Sequence, residues 1–250
     1  MKKLQNIYDD ENFFNYYNQM RETKINANEL IEIPTIKRML PDLTGKTVLD
    51  LGCGAGGMSQ YFIDCGAKEV LAIDLSENMI NLAKNLTKTD KITYKVMAME
   101  DISTINQKFD FVFSSLAFHY IEDFDKLIHD ISNLLNDNGI LLFSQEHPVV
   151  LATILCKDQG KYIENEGKRY YYLSDYNNVG ERKIHWTIDG VVKYHRNFET
   201  ILNTLIKHHL CLVRLEESKA SEEAIKLVPK YIYQKDRPYF LFVKAQKSNN

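Results

Sequence analysis

The chain has 250 residues, 44% of them hydrophobic, with a formal net charge of −3. That length and apolar content fit one large α/β domain with its own core. The mildly acidic balance lacks any dense Lys/Arg run and speaks against a DNA or RNA partner. No apolar run approaches the ~20 residues of a membrane-spanning helix. Met1-Lys2-Lys3-Leu4 leads into polar residues, not into the apolar stretch of a secretory signal. Cys53, Cys65, Cys156 and Cys211 form no CxxC pair, and the histidines give no HExxH or other zinc spacing. The expectation is a cytoplasmic protein with reduced thiols and no metal.

In chain order, residues 1–45 are polar and aromatic, with Phe13, Phe14, Tyr16 and Tyr17 close together. They read as one or two helices ending near Pro41. Residues 46–147 alternate short apolar runs with helical periods. Runs 46–51, 69–74, 92–96, 109–114 and 140–145 read as strands of a parallel sheet covered on both faces. Phe124, Leu127, Ile128, Ile131, Leu134 and Leu135 recur at three and four, the stripe of a packed helix. Asn136-Asp137-Asn138-Gly139 reads as the turn that ends it, with Gly139 available for positive φ.

Residues 150–195 lack a helical period and are rich in tyrosine, with Trp186 among them. They read as antiparallel strands forming a cap. Phe198, Ile201, Leu202, Leu205, Ile206 and Leu210 mark a further helix, with Asn197 as its N-cap. Runs 211–215 and 239–245 read as the last strands, and Pro229 and Pro238 make the segment between them largely loop.

The strongest motif is Val48-Leu49-Asp50-Leu51-Gly52-Cys53-Gly54-Ala55-Gly56-Gly57, a strand running through glycines into a helix. The glycines let the backbone turn sharply and approach a ligand closely. About twenty residues on, the next strand ends in Asp74, placed to accept the hydroxyls of a ribose. Gly52, Gly54 and Gly57 also satisfy the GxGxxG dinucleotide pattern, which leaves a nicotinamide oxidoreductase open. Asp50 weighs against it. A pyrophosphate favours bare backbone amides, whereas an acid beside the turn suits a cationic ligand such as S-adenosylmethionine.

Asp50-Leu51-Gly52-Cys53-Gly54-Ala55-Gly56 resembles motif I of the class I S-adenosylmethionine-dependent methyltransferases, and Ile73-Asp74-Leu75-Ser76 resembles their motif II. Phe109-Asp110-Phe111-Val112-Phe113-Ser114-Ser115-Leu116-Ala117-Phe118-His119-Tyr120-Ile121 resembles the fourth-strand motif of the UbiE-like, type 11 branch. Leu135 to Phe143 is similar to the stretch leading into the fifth strand. The resemblance covers about residues 46–147. It implies a Rossmann-like, doubly wound, mostly parallel seven-stranded sheet with helices on both faces. A small antiparallel cap is inserted after strand five. Residues 1–45 become a helical lid, and 46–250 the methyltransferase domain with 150–195 as its cap.

The resemblance further implies that Gly52, Gly54 and Gly56 cradle the cofactor, with Asp50 toward its methionine end. Asp74, followed by Leu75, binds the ribose. Met99 and Glu100 flank the adenine. Ser114 or Ser115 lies beside the methionine portion, and Tyr17 and Arg21 of the lid reach the cofactor. Ala98 departs from the family, where an Asp often accepts from the adenine amino group; either Glu100 or Asp101 substitutes or the contact is missing.

His119, at the carboxyl end of the fourth strand, is a candidate cofactor contact and base. His147, in Glu146-His147-Pro148, and His195, beside Arg196, are the other candidate catalytic histidines. The plain alternatives are a partly buried histidine hydrogen-bonded to backbone for His119, a polar strand exit with Pro148 ending the ladder for His147, and a surface pair near an N-cap for His195. Methylation of DNA amino groups calls for an Asp/Asn-Pro-Pro-Tyr/Phe motif, but the matching position here reads Ser114-Ser115-Leu116-Ala117. The expected activity is methyl transfer to a small molecule by a monomer or homodimer, with neither nucleic acid nor membrane as partner. A non-catalytic binder of the same cofactor remains the alternative.

Overall fold

In the computed structural model the residues described are 5, 6, 9, 23, 25–153, 162–186 and 188–248. The segment before the sheet forms a π-helical turn, Asn28–Glu32, that runs into helix α1 (Ile33–Met39). The helix stops one residue short of Leu40-Pro41, as the restricted backbone before a proline requires.

From there strands and helices alternate: β1 (Thr47–Leu51), α2 (Gly57–Asp64), β2 (Glu69–Asp74), α3 (Glu77–Leu86), β3 (Ile92–Val96) and β4 (Phe109–Ser114). Then come α4 (Phe124–Leu134), β5 (Leu135–Glu146) and α5 (Pro148–Thr153). Two hairpins follow, β6 (Tyr162–Asn165) with β7 (Lys168–Tyr171), and β8 (Gly180–Trp186) with β9 (Ile188–His195). The chain ends with α6 (Phe198–Lys207), β10 (Leu210–Glu217), α7 (Glu222–Leu227) and β11 (Phe240–Lys247).

Among the described residues the main sheet has seven strands in the order β10-β11-β5-β4-β1-β2-β3. β3, β2, β1, β4 and β5 are parallel, and β11 runs antiparallel to both β5 and β10. Alternation along each strand divides the core in two. Leu49, Leu51, Val112, Leu141, Phe143, Leu241 and Val243 face α4 and α6. Val48, Phe111, Phe113, Leu142, Phe240 and Phe242 face the other layer, where Phe62 of α2 meets Phe111 and Phe113 edge-on. Each fully buried side chain of this size contributes about 1.5–3 kcal/mol. Side-chain caps set the helix starts: Ser76 accepts from Met79 N, Asp123 from Lys126 N and Asn197 from Thr200 N.

The chain lays down β1, β2 and β3 outward, then returns to place β4 on the other side of β1. That reversal opens a crevice at the carboxyl ends of β1 and β4, where open α/β sheets take ligands.

Two expectations are corrected. α4 gives way directly to β5 at Leu135, and the left-handed residue of the following turn is Asn138 (φ 61°), not Gly139. Gly139 is needed for space, since a Cβ there would stand 2.8 Å from the Asn136 carbonyl oxygen. The segment before β11 is mostly helical, because Ser221 caps α7 and Pro229 opens a 3-10 turn at Pro229–Lys235. The strands of residues 150–195 are antiparallel as expected, in two separate hairpins that follow the short helix α5. No described helix is long and apolar enough to cross a membrane.

Candidate functional site

The carboxyl ends of β1, β2, β4 and β5 open onto a cavity of about 1270 Å³, roofed by Val192, Lys193 and Tyr194 of β9 and flanked by Gln5, Asn6 and Asn26–Glu29. Pockets for one small ligand usually measure ~300–1,000 Å³, so two molecules fit side by side.

The turn after β1 forms the floor. Gly54 sits at φ 53°, and a Cβ built on it would meet nothing within 4 Å, so this backbone faces open cavity. Gly52 is on the wall as well, packed under Met99 and Ala117. Gly56, also expected in the cradle, is placed differently. It does not line the cavity, and its missing Cβ leaves room for the Tyr94 hydroxyl, which would lie 2.3 Å away.

Two acids bracket this turn. Asp50 is buried at the end of β1, where Ser59 Oγ donates to its Oδ2 at 2.5 Å. Loss of hydration pushes its pKa up to about 7, with Asp74 adding to the effect. Asp74 Oδ2 accepts from Gly54 N and Oδ1 from Ser76 N, both at 2.9 Å. One side chain thereby ties the glycine turn to the start of α3. Burial raises its pKa too, although the two backbone donors oppose this.

Leu75, Met99 and Glu100 line the same end of the cavity, the last two opening the 3-10 turn Met99–Thr104. Lys126 Nζ donates to the Glu100 carbonyl at 2.7 Å and fixes that turn. Ala98 is buried, and Asp101 is not on the wall. Of the two serines after β4, Ser115 lines the cavity, whereas Ser114 is spent in the sheet, donating to the Leu51 carbonyl at 2.8 Å.

Ser115 leads to a residue that sequence reasoning missed. Its hydroxyl donates at 2.6 Å to Glu32 Oε1, which also accepts from Ser144 Oγ at 2.5 Å. Asn28 Nδ2 donates to Glu32 Oε2 at 2.9 Å. Glu32 is buried and on the cavity wall. The available signal was one acid flanked in sequence by Ile31 and Ile33.

His119 also lines the cavity, in the turn after β4. The Glu146 backbone N–H donates to its Nδ1 at 3.3 Å. A backbone N–H can only donate, so Nδ1 holds the lone pair and Nε2 the proton. Burial drives the pKa down to about 3, with Glu146 opposing and Lys193 and Arg196 reinforcing the fall. His119 is therefore neutral, with its proton on Nε2.

His147 and His195 do not line the cavity. His147 Nδ1 accepts from Val149 N at 3.2 Å, and its Nε2 donates to Glu217 Oε1 at 2.9 Å. His195 Nε2 donates to the Tyr176 carbonyl at 2.8 Å. Both hydrogen bonds tie loops together away from the cavity wall. Tyr17 and Arg21 lie outside the described residues. No described group of three or more His, Cys, Asp or Glu is arranged to hold a metal ion.

The floor fits the cofactor expected from the sequence. Open space above Gly54 admits a ligand onto the backbone, Asp74 at the end of β2 is hydrogen-bonded to the same turn, and Asp50 adds an ionisable acid to the cavity wall.

Comparison with known proteins follows the same line. Residues 49–143 match a family model described as a methyltransferase domain. The structure of an S-adenosylmethionine-dependent methyltransferase from Mesorhizobium loti is 33% identical, covers 89% of this chain and 98% of its own, and superposes with a TM-score of 0.79. A Listeria monocytogenes structure assigned to the same class is 36% identical at a TM-score of 0.79, covering 87% and 97% of the two chains. An uncharacterized Haemophilus influenzae protein is 37% identical over 96% of both chains.

Proposed function

This chain belongs to the S-adenosylmethionine-dependent methyltransferases, in the class I fold, and on that premise we propose that it methylates a small-molecule acceptor bound between the glycine turn and the cap. The observation that carries the reading is the pair of acids, Asp50 buried and Asp74 half-buried, on either side of an open glycine turn, in a cavity large enough for two ligands. The fourth-strand motif and the match to the methyltransferase domain support assignment to the UbiE-like branch.

S-adenosylmethionine supplies an electrophilic methyl on a sulfonium that is already a good leaving group. The protein's work is therefore binding, alignment and exclusion of water. Asp74 has a lone pair left on each oxygen for the ribose hydroxyls. Asp50 faces the methionine end, and its carboxylate form is favoured once a cation lies beside it. Met99, Glu100 and Leu75 flank the adenine, and Ser115 the methionine portion. Residues 1–45 act as the lid and 150–195 as the acceptor cap.

A screen with S-adenosylmethionine labelled at its methyl, against phenols, carboxylic acids and amines, tests this reading. Label in a small product is the expected outcome. Tight cofactor binding with no product from any acceptor favours the non-catalytic binder instead.

A further inference from the structure

Past the end of β4 the backbone takes a conformation that its residue type resists. Leu116 stands at φ 48°, in the left-handed region that a leucine rarely enters. β5 holds it there: the Leu116 N–H donates to the Ser144 carbonyl at 3.1 Å and to Ser144 Oγ at 3.0 Å. Strain kept in place by such bonds marks a segment whose position matters. The neighbour it fixes is Ser115, on the cavity wall.

Sheet register decides what surrounds Ser115. Leu51 pairs with Ser114, and Ser114 with Phe143, so Ser115 comes level with Gly52 and Ser144. Alternation turns Ser115 and Ser144 to the face that carries Asp50 and Phe113. Glu32, 1% exposed, reaches this face from the π-helical turn and accepts from both serines through Oε1. Ser144 Oγ already accepts from Leu116 N, so its own proton goes to Glu32. Ser115 has a single proton too, and it is spent on Glu32 at 2.6 Å. Toward a ligand the Ser115 oxygen then offers lone pairs alone. Further contacts of Glu32 leave this polarity unchanged, because it depends only on where the serine proton goes.

A group that can only accept calls for a donor. Asp74 ends β2 and Met99 follows β3, and these two hold the adenosine portion in the reading above. β1 and then β4 stand next in the sheet, so the amino-acid portion of the cofactor extends toward Gly52 and Ser115. That portion carries an ammonium with three N–H donors and a carboxylate with none.

We propose that Ser115 accepts from the cofactor's ammonium, and that Glu32 is the positioning residue that makes Ser115 an acceptor. This rests on the methyltransferase reading and assigns one subsite within it. Glu32 acts through the serine: it takes the proton that would otherwise turn into the cavity and repel an N–H.

The test is calorimetric titration of wild type, Ser115→Ala and Glu32→Met with two ligands. One is S-adenosylhomocysteine, and the other is its analogue with hydrogen in place of the α-amino group. Wild type should prefer S-adenosylhomocysteine by about tenfold or more. Ser115→Ala removes the acceptor and Glu32→Met frees the serine proton, so each should lower that preference by about threefold or more. Ser115→Ala disturbs no buried charge and keeps the test decisive if Glu32→Met fails to fold. The two ligands binding wild type equally would overturn the proposal. So would a preference that stays unchanged in either folded variant while both ligands weaken alike, which is what a merely structural role gives. Failure of S-adenosylhomocysteine to bind wild type at all would instead remove the methyltransferase reading, and this proposal with it.

Discussion

Asp50 is a carboxyl group held at the end of a strand with its water stripped away, and that alone predicts a pH dependence. Its pKa in the folded protein, about 7, lies above the ordinary carboxylate value of about 4. The cofactor-free protein thus keeps a proton that the unfolded chain gives up. Its contribution to stability is complete below about pH 4 and is lost as pH rises toward 7. Asp50→Asn, which can still accept from Ser59, should flatten that stretch of the profile and melt higher than wild type at pH 8. Thermal melts from pH 4 to 8 check it. The glycines give a second contrast. Gly56→Ala meets both a positive φ and the Tyr94 hydroxyl and should cost about 3 kcal/mol. Gly54→Ala has open space and only the positive φ to bear, about 1 kcal/mol, yet should weaken S-adenosylhomocysteine strongly because its Cβ enters the cavity. Urea melts and titration of the two variants separate these effects. Asp50 and Asp74 were legible in the sequence because local spacing places them: each ends a strand beside the same turn. His147 and His195 were not, because what defines them is distant in sequence. Glu217 is 70 residues from His147, and Tyr176 is 19 from His195. Gly56 and Gly54 look alike in a motif and differ only in what stands beyond them.

At the level of elements, the caps are the most portable part of the account. Asn197 accepts from both Thr200 N and Thr200 Oγ1, starting α6 immediately after the cap's last strand. Asn197→Ala should cost about 1 kcal/mol, read as a lower denaturation midpoint with an unchanged slope. The five parallel strands and the stripe of α4 were readable because burial on one or two faces leaves a period in the apolar residues. The start of β5 was hidden, since Asn136, Asp137 and Asn138 signal a turn more strongly than a ladder. The structure holds both, with a register shift against β4 in that stretch. α7 escaped for the opposite reason. Its six residues are too few to show a period, and only Ser221 before two acids marked its start. Glu32 belongs to this scale as well. Its serine partners come from the loop after β4 and from β5, brought to it only by the sheet order.

For the molecule as a whole, the reversal of chain direction at β1 and β4 makes the crevice, and Val192, Lys193 and Tyr194 of β9 with Gln5 and Asn6 complete its wall. The segment before the sheet is joined to the cap through Gln5 and Val192, which exchange hydrogen bonds of 3.1 and 2.7 Å. Asp9 accepts from Ser76 Oγ at 2.5 Å, beside the loop that carries Asp74. A ligand bound beneath these contacts should stabilise the whole fold, by about 2.7 kcal/mol at a hundred times its Kd. The central claim is that Asp74 and the glycine turn form an S-adenosylmethionine site and not a nicotinamide one. Calorimetric titration with S-adenosylhomocysteine and, separately, with NADH, on wild type and Asp74→Ala, tests it most directly. The account predicts micromolar-range binding of S-adenosylhomocysteine, its loss in Asp74→Ala, and no heat from NADH. Binding of NADH alone, or S-adenosylhomocysteine bound equally well by both proteins, would contradict it.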